Sequence, residues 1–359
     1  MIKYFKDFFD GKKVLITGHT GFIGSWLAII LHELSAKVIG YALPPYTAKD
    51  NFVVTNLANK ITHIIGDVRD FDKIKRVFKT YDPDIILHLA AQPIVRKAYE
   101  IPKETYEVNV GGTLNIFEAF RKSKSSRILI NFTTDKVYEN FEIERGYTEN
   151  ERLGGYDPYS SSKACSELIT SAYRSSFFNP KKNIEPKYVS SIRCGNVIGG
   201  GDWQEDRLIP DCMRAILVDQ EIYIRNPDFI RPWQYVLEPI RGLLTLTVKM
   251  WEGDPLFSSA WNFGPDNNLI FKVSDIITKI IKYLGKGRYK IALNQNSEEL
   301  HETKLLILNS NKAKKYLGWK NELSIDDTID FLCKWYMEEV INYEFDVMQI
   351  NNYFKKIKR

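Results

Sequence analysis

The sequence predicts an α/β protein: a doubly wound parallel sheet with helices on both faces, followed by a smaller, less regular α/β lobe. Three observations predict it. Short β-branched-rich runs alternate with amphipathic stretches through the first half of the chain, a glycine-spaced turn joins the first run to the first helix, and the alternation ends near Asn196, where glycine, tryptophan and arginine crowd. At 359 residues the chain is long enough for two lobes.

The first strand is expected over 12–17, a short apolar run ending in glycines, and helical apolar spacing follows over 22–34. Runs at 38–41, 61–65, 84–89 and 127–132 predict four more strands, and 188–193 a sixth. Amphipathic stretches at 71–78 and 105–120 lie between them as helices, the βαβα order that implies a parallel sheet. After Gly199-Gly200-Gly201 short strands and helices mix to the C-terminus. There is no internal repeat, low-complexity tract or obvious linker.

Composition narrows the function class. A hydrophobic content of 44% with 13% aromatics describes an ordinary globular protein, and a net charge of +5 is modest and spread along the chain. The cluster Lys355-Lys356-Ile357-Lys358-Arg359 reads as a solvated tail, so no nucleic-acid partner is expected. The four cysteines show no paired metal spacing and read as inert thiols in a reducing compartment; no metal site is expected. With neither a signal-peptide pattern nor an apolar run of membrane-spanning length, the expected location is the cytoplasm.

Thr17-Gly18-His19-Thr20-Gly21-Phe22-Ile23-Gly24 follows the first strand and opens the first helix. Glycines at every third position permit a tight turn and close approach of a pyrophosphate, and the helix N-terminus supplies N–H groups and positive dipole. At a first βα junction this favours a Rossmann-type dinucleotide site over a plain turn. The second strand ends Gly40-Tyr41-Ala42-Leu43, with no acid for a ribose and no nearby arginine for a 2′-phosphate; NAD is expected over NADP. Asp67, before Val68, is either an adenine partner or a turn-capping residue. Small residues in His88-Leu89-Ala90-Ala91-Gln92 either let a flat ring lie across the strand ends or simply pack strand on helix. Asn109 sits in a helical stretch where Asn has poor propensity, either exposed or bridging a water to Lys163.

Behind the turn signal Gly154-Gly155-Tyr156-Asp157-Pro158, Tyr159 and Lys163 stand four residues apart, sharing one helix face at about 5–6 Å between Cβ atoms. An ammonium beside a phenol favours the phenolate, so the pair suits proton removal from an alcohol. Upstream, Thr133-Thr134-Asp135-Lys136 adds hydroxyl, carboxyl and amine groups. One set of proton-transfer groups suits an oxidation; two suggest an oxidation followed by another step.

These motifs, with Ala90-Ala91-Gln92-Pro93, Thr134-Asp135-Lys136-Val137-Tyr138, Asn196-Val197-Ile198-Gly199-Gly200-Gly201-Asp202-Trp203, Asp206-Arg207-Leu208-Ile209-Pro210, Arg231-Pro232-Trp233-Gln234 and Trp261-Asn262-Phe263-Gly264-Pro265, resemble the extended short-chain dehydrogenase/reductases over nearly the whole chain. Within that superfamily the chain resembles the CDP-glucose 4,6-dehydratases, because Lys136 stands where most sugar-nucleotide dehydratases carry a glutamate.

The resemblance implies a bound NAD, a CDP-glucose substrate and a homodimer or homotetramer. It implies an NAD domain over 1–196 plus about 234–264, and a nucleotide-sugar lobe over about 197–233 and 265–359. Tyr159 with Lys163 is implied to deprotonate the sugar 4-hydroxyl, Thr134 to hold the 4-oxygen, Asp135 to protonate the departing 6-hydroxyl, and Lys136 either to take the C5 proton or to stabilise an enolate. The glycine-turn residues Gly18 to Gly24, with Asp67, Val68, Leu89, Ala90, Ala91 and Asn109, are the implied cofactor contacts. For the substrate they are Gln92, Arg96, Asn196, Arg207, Arg225, Arg231 and Asn262, arginine forks matching phosphate oxygens. Trp203, Trp233 and Trp261 either wall the nucleotide site or belong to the core.

Overall fold

The computed structural model describes residues 2–179, 186–266, 270–291 and 303–357. Lys358 and Arg359 of the terminal basic cluster lie outside them. Its first half follows βα order: α1 (Ile2–Phe9), β1 (Lys13–Thr17), α2 (Phe22–Glu33), β2 (Lys37–Ala42), α3 (Asn51–Val54), β3 (Thr62–Ile65), α4 (Phe71–Tyr81), β4 (Ile85–His88), α5 (Val95–Glu100), α6 (Pro102–Tyr106), α7 (Thr113–Lys122), β5 (Ile128–Phe132), α8 (Pro158–Ser176) and β6 (Tyr188–Cys194). Then come β7 (Val197–Ile198), α9 (Leu208–Leu217), β8 (Ile222–Ile224), β9 (Ile230–Arg231), β10 (Gln234–Tyr235), α10 (Leu237–Glu252) and β11 (Ala260–Phe263). The chain closes with β12 (Phe271–Lys272), α11 (Val273–Leu284), β13 (Tyr289–Ile291), α12 (Asn311–Leu317), α13 (Ile325–Met337) and α14 (Tyr343–Lys356).

The central sheet has seven strands in the order β11-β6-β5-β4-β1-β2-β3, every pair parallel. Strand order reverses between β1 and β4, where Ile16 pairs Leu87. At such a switch point the loops after adjacent strands diverge and leave a crevice. The sixth strand sits where the sequence expects it. The seventh, β11, pairs with β6 in the register Trp261↔Ile192 and was not foreseen as a strand.

Alternation along each strand builds two apolar layers. Val14 and Ile16 of β1, Ile85 and Leu87 of β4, and Ile128 and Ile130 of β5 face one layer, filled by α1, α2, α10, α13 and α14. Leu15, Ile86 and Leu129, the residues between them, face the other, filled by α4, α7 and α8. Each fully buried aliphatic side chain contributes roughly 1.5–3 kcal/mol, so the sheet is fixed before any polar site is built on it. Four residues of α2, Trp26 to Ile29, are fully buried because α14 covers its outer side, with Tyr343 Oη donating to Glu33 Oε1 at 2.7 Å.

The stretch 105–120 is not one α-helix: Glu107–Gly112 winds as a π turn between α6 and α7. The wider turn brings Asn109 to the inner face, where it is 1% exposed. Its Oδ1 accepts from Gln92 N at 2.8 Å, and its Nδ2 donates to Gln92 O and Ser162 Oγ. Asn109 is therefore neither exposed nor turned to Lys163: it ties the loop after β4 to α8.

The loop after β7 packs on the helical layer beneath the sheet at Gly200. A Cβ there would lie 1.9 Å from Cγ of Trp335 on α13, and Gly200 O accepts from Trp26 Nε1 at 2.9 Å. Gly200→Ala is expected to lower unfolding stability by about 1–3 kcal/mol, the cost of overpacking a filled contact, read as a lower urea midpoint at unchanged slope.

Candidate active site

A large cavity of about 1880 Å³ opens over the C-terminal ends of β1, β4 and β5 and continues under β8 and β9. It exceeds the roughly 300–1,000 Å³ of a typical small-molecule pocket, space for two ligands. The glycine turn forms one wall. Gly18 has φ +79°, and a Cβ there would meet Ala90 N at 2.8 Å; a Cβ on Gly24 would meet Gly18 O at 2.1 Å. Both contacts reserve room for backbone only, and Gly21 leads directly into α2, whose first residues, Phe22 to Gly24, line the cavity. Thr20, Phe22, Ile23, Asp67, Val68, Leu89, Ala90 and Ala91 line the same end. This cradle fits a dinucleotide.

One expected contact of that end, His19, does not reach it. The His19 side chain turns away beneath β2 and is fully buried, its Nε2 2.7 Å from His63 Nδ1; burial and His63 push its pKa down to about 3. The Asp67 carboxylate is held by Arg69, which donates from N at 2.8 Å and from NH2 at 2.6 Å. Sequence reading missed the loop after β2, where Leu43, Pro44, Tyr46 and Asp50 close the cavity. Asp50 fixes that loop by accepting from Tyr46 N, Thr47 N and Thr47 Oγ1.

At the centre, α8 starts where its caps dictate: Asp157 accepts from Ser160 N at 2.9 Å, and Pro158 occupies the first turn. That start sends Tyr159 and Lys163 under the cavity, 9% and 4% exposed. Lys163 Nζ donates to Phe132 O at 2.9 Å. Across from them, β5 ends in Thr133-Thr134 and a 3₁₀ turn, Asp135–Val137, whose start the Thr134 hydroxyl caps. Thr134, Asp135, Lys136, Tyr159 and Lys163 all line the cavity.

The electrostatics differ from the simple sequence argument. Burial pushes the Tyr159 phenol up to about 12; the neighbouring Thr134 hydroxyl opposes this, Asp135 reinforces it and Arg207 opposes it. Burial also brings Lys163 down to about 8, against the pull of Glu167. The phenol is therefore neutral, because desolvation outweighs the Thr134 hydroxyl and the Arg207 charge that oppose it. Asp135, 2% exposed, has its carboxyl raised by burial, with Lys136, Thr134 and Arg231 offsetting part. Its Oδ1 accepts from Thr134 Oγ1 at 3.0 Å, while Oδ2 has no protein partner.

The far end is cationic. Arg231 is buried, its NH1 donating to Ile230 O at 2.9 Å and its guanidinium 5.3 Å from the Phe229 ring centre. Arg207 lines the cavity next to Tyr159 and donates to Asp202 Oδ2 at 2.7 Å. Arg96 and Arg225 stand at the rim on either side of Asp206, 3.8 and 3.6 Å away. Asn196, Trp203 and Trp233 also line the cavity.

Two expected substrate contacts do not. Gln92 spends its amide on Ile94 N, Ile94 O and Thr105 Oγ1. Asn262, fully buried, donates to Tyr147 O and accepts from Tyr138 Oη. Trp261 is core, stacked on Phe257. These side chains satisfy buried backbone or fill the interior, a use that a polar or aromatic letter does not reveal.

The family model described as GDP-mannose 4,6 dehydratase matches residues 15–331. The curated CDP-glucose 4,6-dehydratase of Salmonella typhimurium is 44% identical over 333 residues, covering 92% of each chain. Among solved structures, an epimerase from Methanothermobacter thermautotrophicus superposes with a TM-score of 0.80 at 21% identity, covering 97% of this chain and 98% of that one. The dTDP-glucose 4,6-dehydratase of Bacillus anthracis, solved in complex with NAD, superposes at 0.72 with 22% identity, covering 92% and 97%. With a match that runs from the first strand through the second lobe, this chain belongs to the GDP-mannose 4,6-dehydratase family.

Proposed function

We propose that this chain is an NAD-dependent hydro-lyase that converts CDP-glucose to CDP-4-keto-6-deoxyglucose, for deoxysugar synthesis in the cytoplasm. The carrying observation is that Asp135 and Lys136 line the same cavity as Tyr159 and Lys163, a second proton-transfer set beside the first. An epimerase or reductase on this scaffold has no use for that second set. The 44% identity to a CDP-glucose enzyme supports the choice of substrate.

Tyr159 takes the proton of the 4-hydroxyl, Thr134 holds the 4-oxygen, and Lys163 keeps positive charge beneath the phenol. The chemistry NAD brings when bound is a reversible hydride reservoir between C4 and C6. Once C4 is a ketone, the C5–H is acidic. Lys136 acts at that position, as base or as a charge stabilising the enolate, and Asp135, whose carboxyl burial raises, protonates the leaving 6-hydroxyl. Arg207, Arg225 and Arg231, with Arg96 at the rim, take the diphosphate, while Asn196, Trp203 and Trp233 enclose the sugar nucleotide. Gly18, Thr20 to Gly24, Asp67, Val68, Leu89, Ala90 and Ala91 hold the dinucleotide. Around the loop after β2 the lining offers the Asp50 carboxylate and no basic group, which favours NAD over NADP. The sheet with 234–264 forms the cofactor domain and 197–233 belongs to the substrate lobe; the expected extension of that lobe over 265–359 is cut short by α13 and α14, which pack on the layer beneath the sheet. Exposed Tyr106, Leu114 and Leu168 on the helices of the cofactor domain give a homodimer its contact.

Incubation with CDP-, dTDP-, UDP- and GDP-glucose is expected to yield a 4-keto-6-deoxy product by mass spectrometry from CDP-glucose in clear preference. In deuterated water that product carries deuterium at C5, and a label placed at C4 appears at C6. Retention of the 6-hydroxyl overturns the reading.

A further inference from the structure

Tyr159, Lys163 and Glu167 stand at i, i+4 and i+8 of α8, one face and all buried. Lys163 grips Phe132 O at 2.9 Å. Glu167 grips the next residue: Thr133 Oγ1 donates to its Oε1 at 2.6 Å. The other oxygen, Oε2, accepts from Ser191 Oγ at 2.7 Å and from Arg193 NH2 at 2.8 Å, with both side chains of the ion pair at most 4% exposed.

Arg193 carries the connection to the far side of the 3₁₀ turn. Its NH1 donates to Tyr138 Oη at 2.8 Å and to Glu149 O at 3.0 Å, and its guanidinium lies 5.0 Å from the Tyr138 ring centre. Tyr138 in turn donates to Asn262 Oδ1 at 2.7 Å. One carboxylate–guanidinium pair thus holds Thr133 before, and Tyr138 after, the three residues Thr134, Asp135 and Lys136. The same carboxylate stands one turn from Lys163.

Resting on the dehydratase reading, we infer that Glu167 and Arg193 are positioning residues which hold the elimination set in register with the oxidation set. The pair touches no ligand; its work is to make two proton-transfer sets from separate elements, α8 and the end of β5, behave as one rigid body. Buried charge pairs are costly to assemble. Here the cost is offset by filling Glu167 with three donors, and its carboxyl is held below the usual range by Arg193 and the hydroxyls although burial opposes this.

A charge role accompanies the geometric one. The charged group that acts on Lys163 is Glu167 on its own helix; His88 from β4 is kept neutral by burial and by Lys163. Tyr159 lies a turn before it. Around Glu167 the cations are Arg193 from β6 and Arg174 from α8. Glu167 raises the Lys163 pKa against desolvation, so removing its charge lowers that pKa and Lys163 loses its proton at lower pH.

Two variants test this. Glu167→Gln keeps the shape and removes the charge; Thr133→Val removes the hydroxyl link and keeps the charge. Glu167→Gln is expected to lower kcat about 10- to 100-fold, as misplacement of reacting groups by about 1 Å does, with KM for CDP-glucose nearly unchanged and the alkaline limb of the kcat–pH profile moved to lower pH. Thr133→Val is expected to lower kcat by about tenfold with that limb unmoved. In both, hydrogen–deuterium exchange over 133–138 rises while that of α4 does not, a readout independent of the substrate. Wild-type kcat in Thr133→Val, an unmoved limb in folded Glu167→Gln, or unchanged exchange over 133–138 overturns the inference. Should Glu167→Gln not fold, Thr133→Val decides by kcat and exchange. The wild-type enzyme, assayed first, reports on the dehydratase reading by itself: no 4-keto-6-deoxy product sinks that reading, while the exchange result still judges the positioning pair.

Discussion

Replacing Asp135 by Asn is expected to slow formation of the 4-keto-6-deoxy product by about 10²- to 10⁴-fold, the usual worth of a positioned general acid, while C4 oxidation survives. The substitution is close to isosteric, and Thr134 Oγ1, which donates to Oδ1 at 3.0 Å, keeps an acceptor. What is lost is the proton. The Asp135 carboxyl is raised by burial, its largest influence, and Lys136 beside it only partly reverses this. A group with raised pKa holds its acidic proton at low pH and gives it up as pH rises through the folded-state value. Wild-type elimination therefore weakens on the alkaline side of that value, and Asp135→Asn removes this dependence. In single turnovers with CDP-glucose the variant is expected to accumulate reduced nicotinamide and a 4-keto sugar that retains its 6-hydroxyl. Normal product at normal rate in Asp135→Asn would assign the acid elsewhere.

The residues that made such predictions readable from sequence are those with a local signature. Gly18 and Gly24 mark a backbone too crowded for any Cβ, and Asp157-Pro158 sets the start of α8 and so the placement of Tyr159 and Lys163. Strands β1 to β6 were legible because buried parallel strands are continuous apolar runs. Strand β11 was not: four residues, separated from β6 by the whole excursion through the second lobe, become a strand only by pairing with it. The π turn at Asn109 likewise follows from tertiary bonds to Gln92 and Ser162, and a propensity scale sees only a poor helix former. Gln92 and Asn262 show the reverse limit. A polar residue inside a motif reads as a ligand contact, yet both are consumed by internal bonds.

Glu167 was overlooked for a related reason. Its spacing of eight from Tyr159 is visible in the sequence, but the donors that fill it come from β5 and β6. The acidity of Tyr159 is the sharpest case. Counting charges along the helix finds Lys163 and expects a phenolate; the structure adds desolvation, the largest influence on the phenol, and it raises the pKa.

That balance gives Tyr159→Phe its expected effect. The ring stays, so packing and CDP-glucose binding change little, while C4 oxidation falls by about 10²- to 10⁴-fold with loss of the base. In the wild type the phenol, held up at about 12, must be lowered by positive charge in the loaded site. Arg207 supplies part of it now, and Lys163 can do so only while protonated, with its own pKa brought to about 8. The wild-type rate should accordingly rise with pH as the phenol becomes easier to ionise, then fall as Lys163 neutralises. Tyr159→Phe should show neither limb. Solvent deuterium separates this variant from Asp135→Asn. Exchange at C5 requires the 4-ketone, so Asp135→Asn should exchange C5 without losing the 6-hydroxyl, and Tyr159→Phe should exchange nothing. Equal C5 exchange in both variants would mean that the phenol does not start the reaction, and the division of labour between α8 and the end of β5 would have to be redrawn.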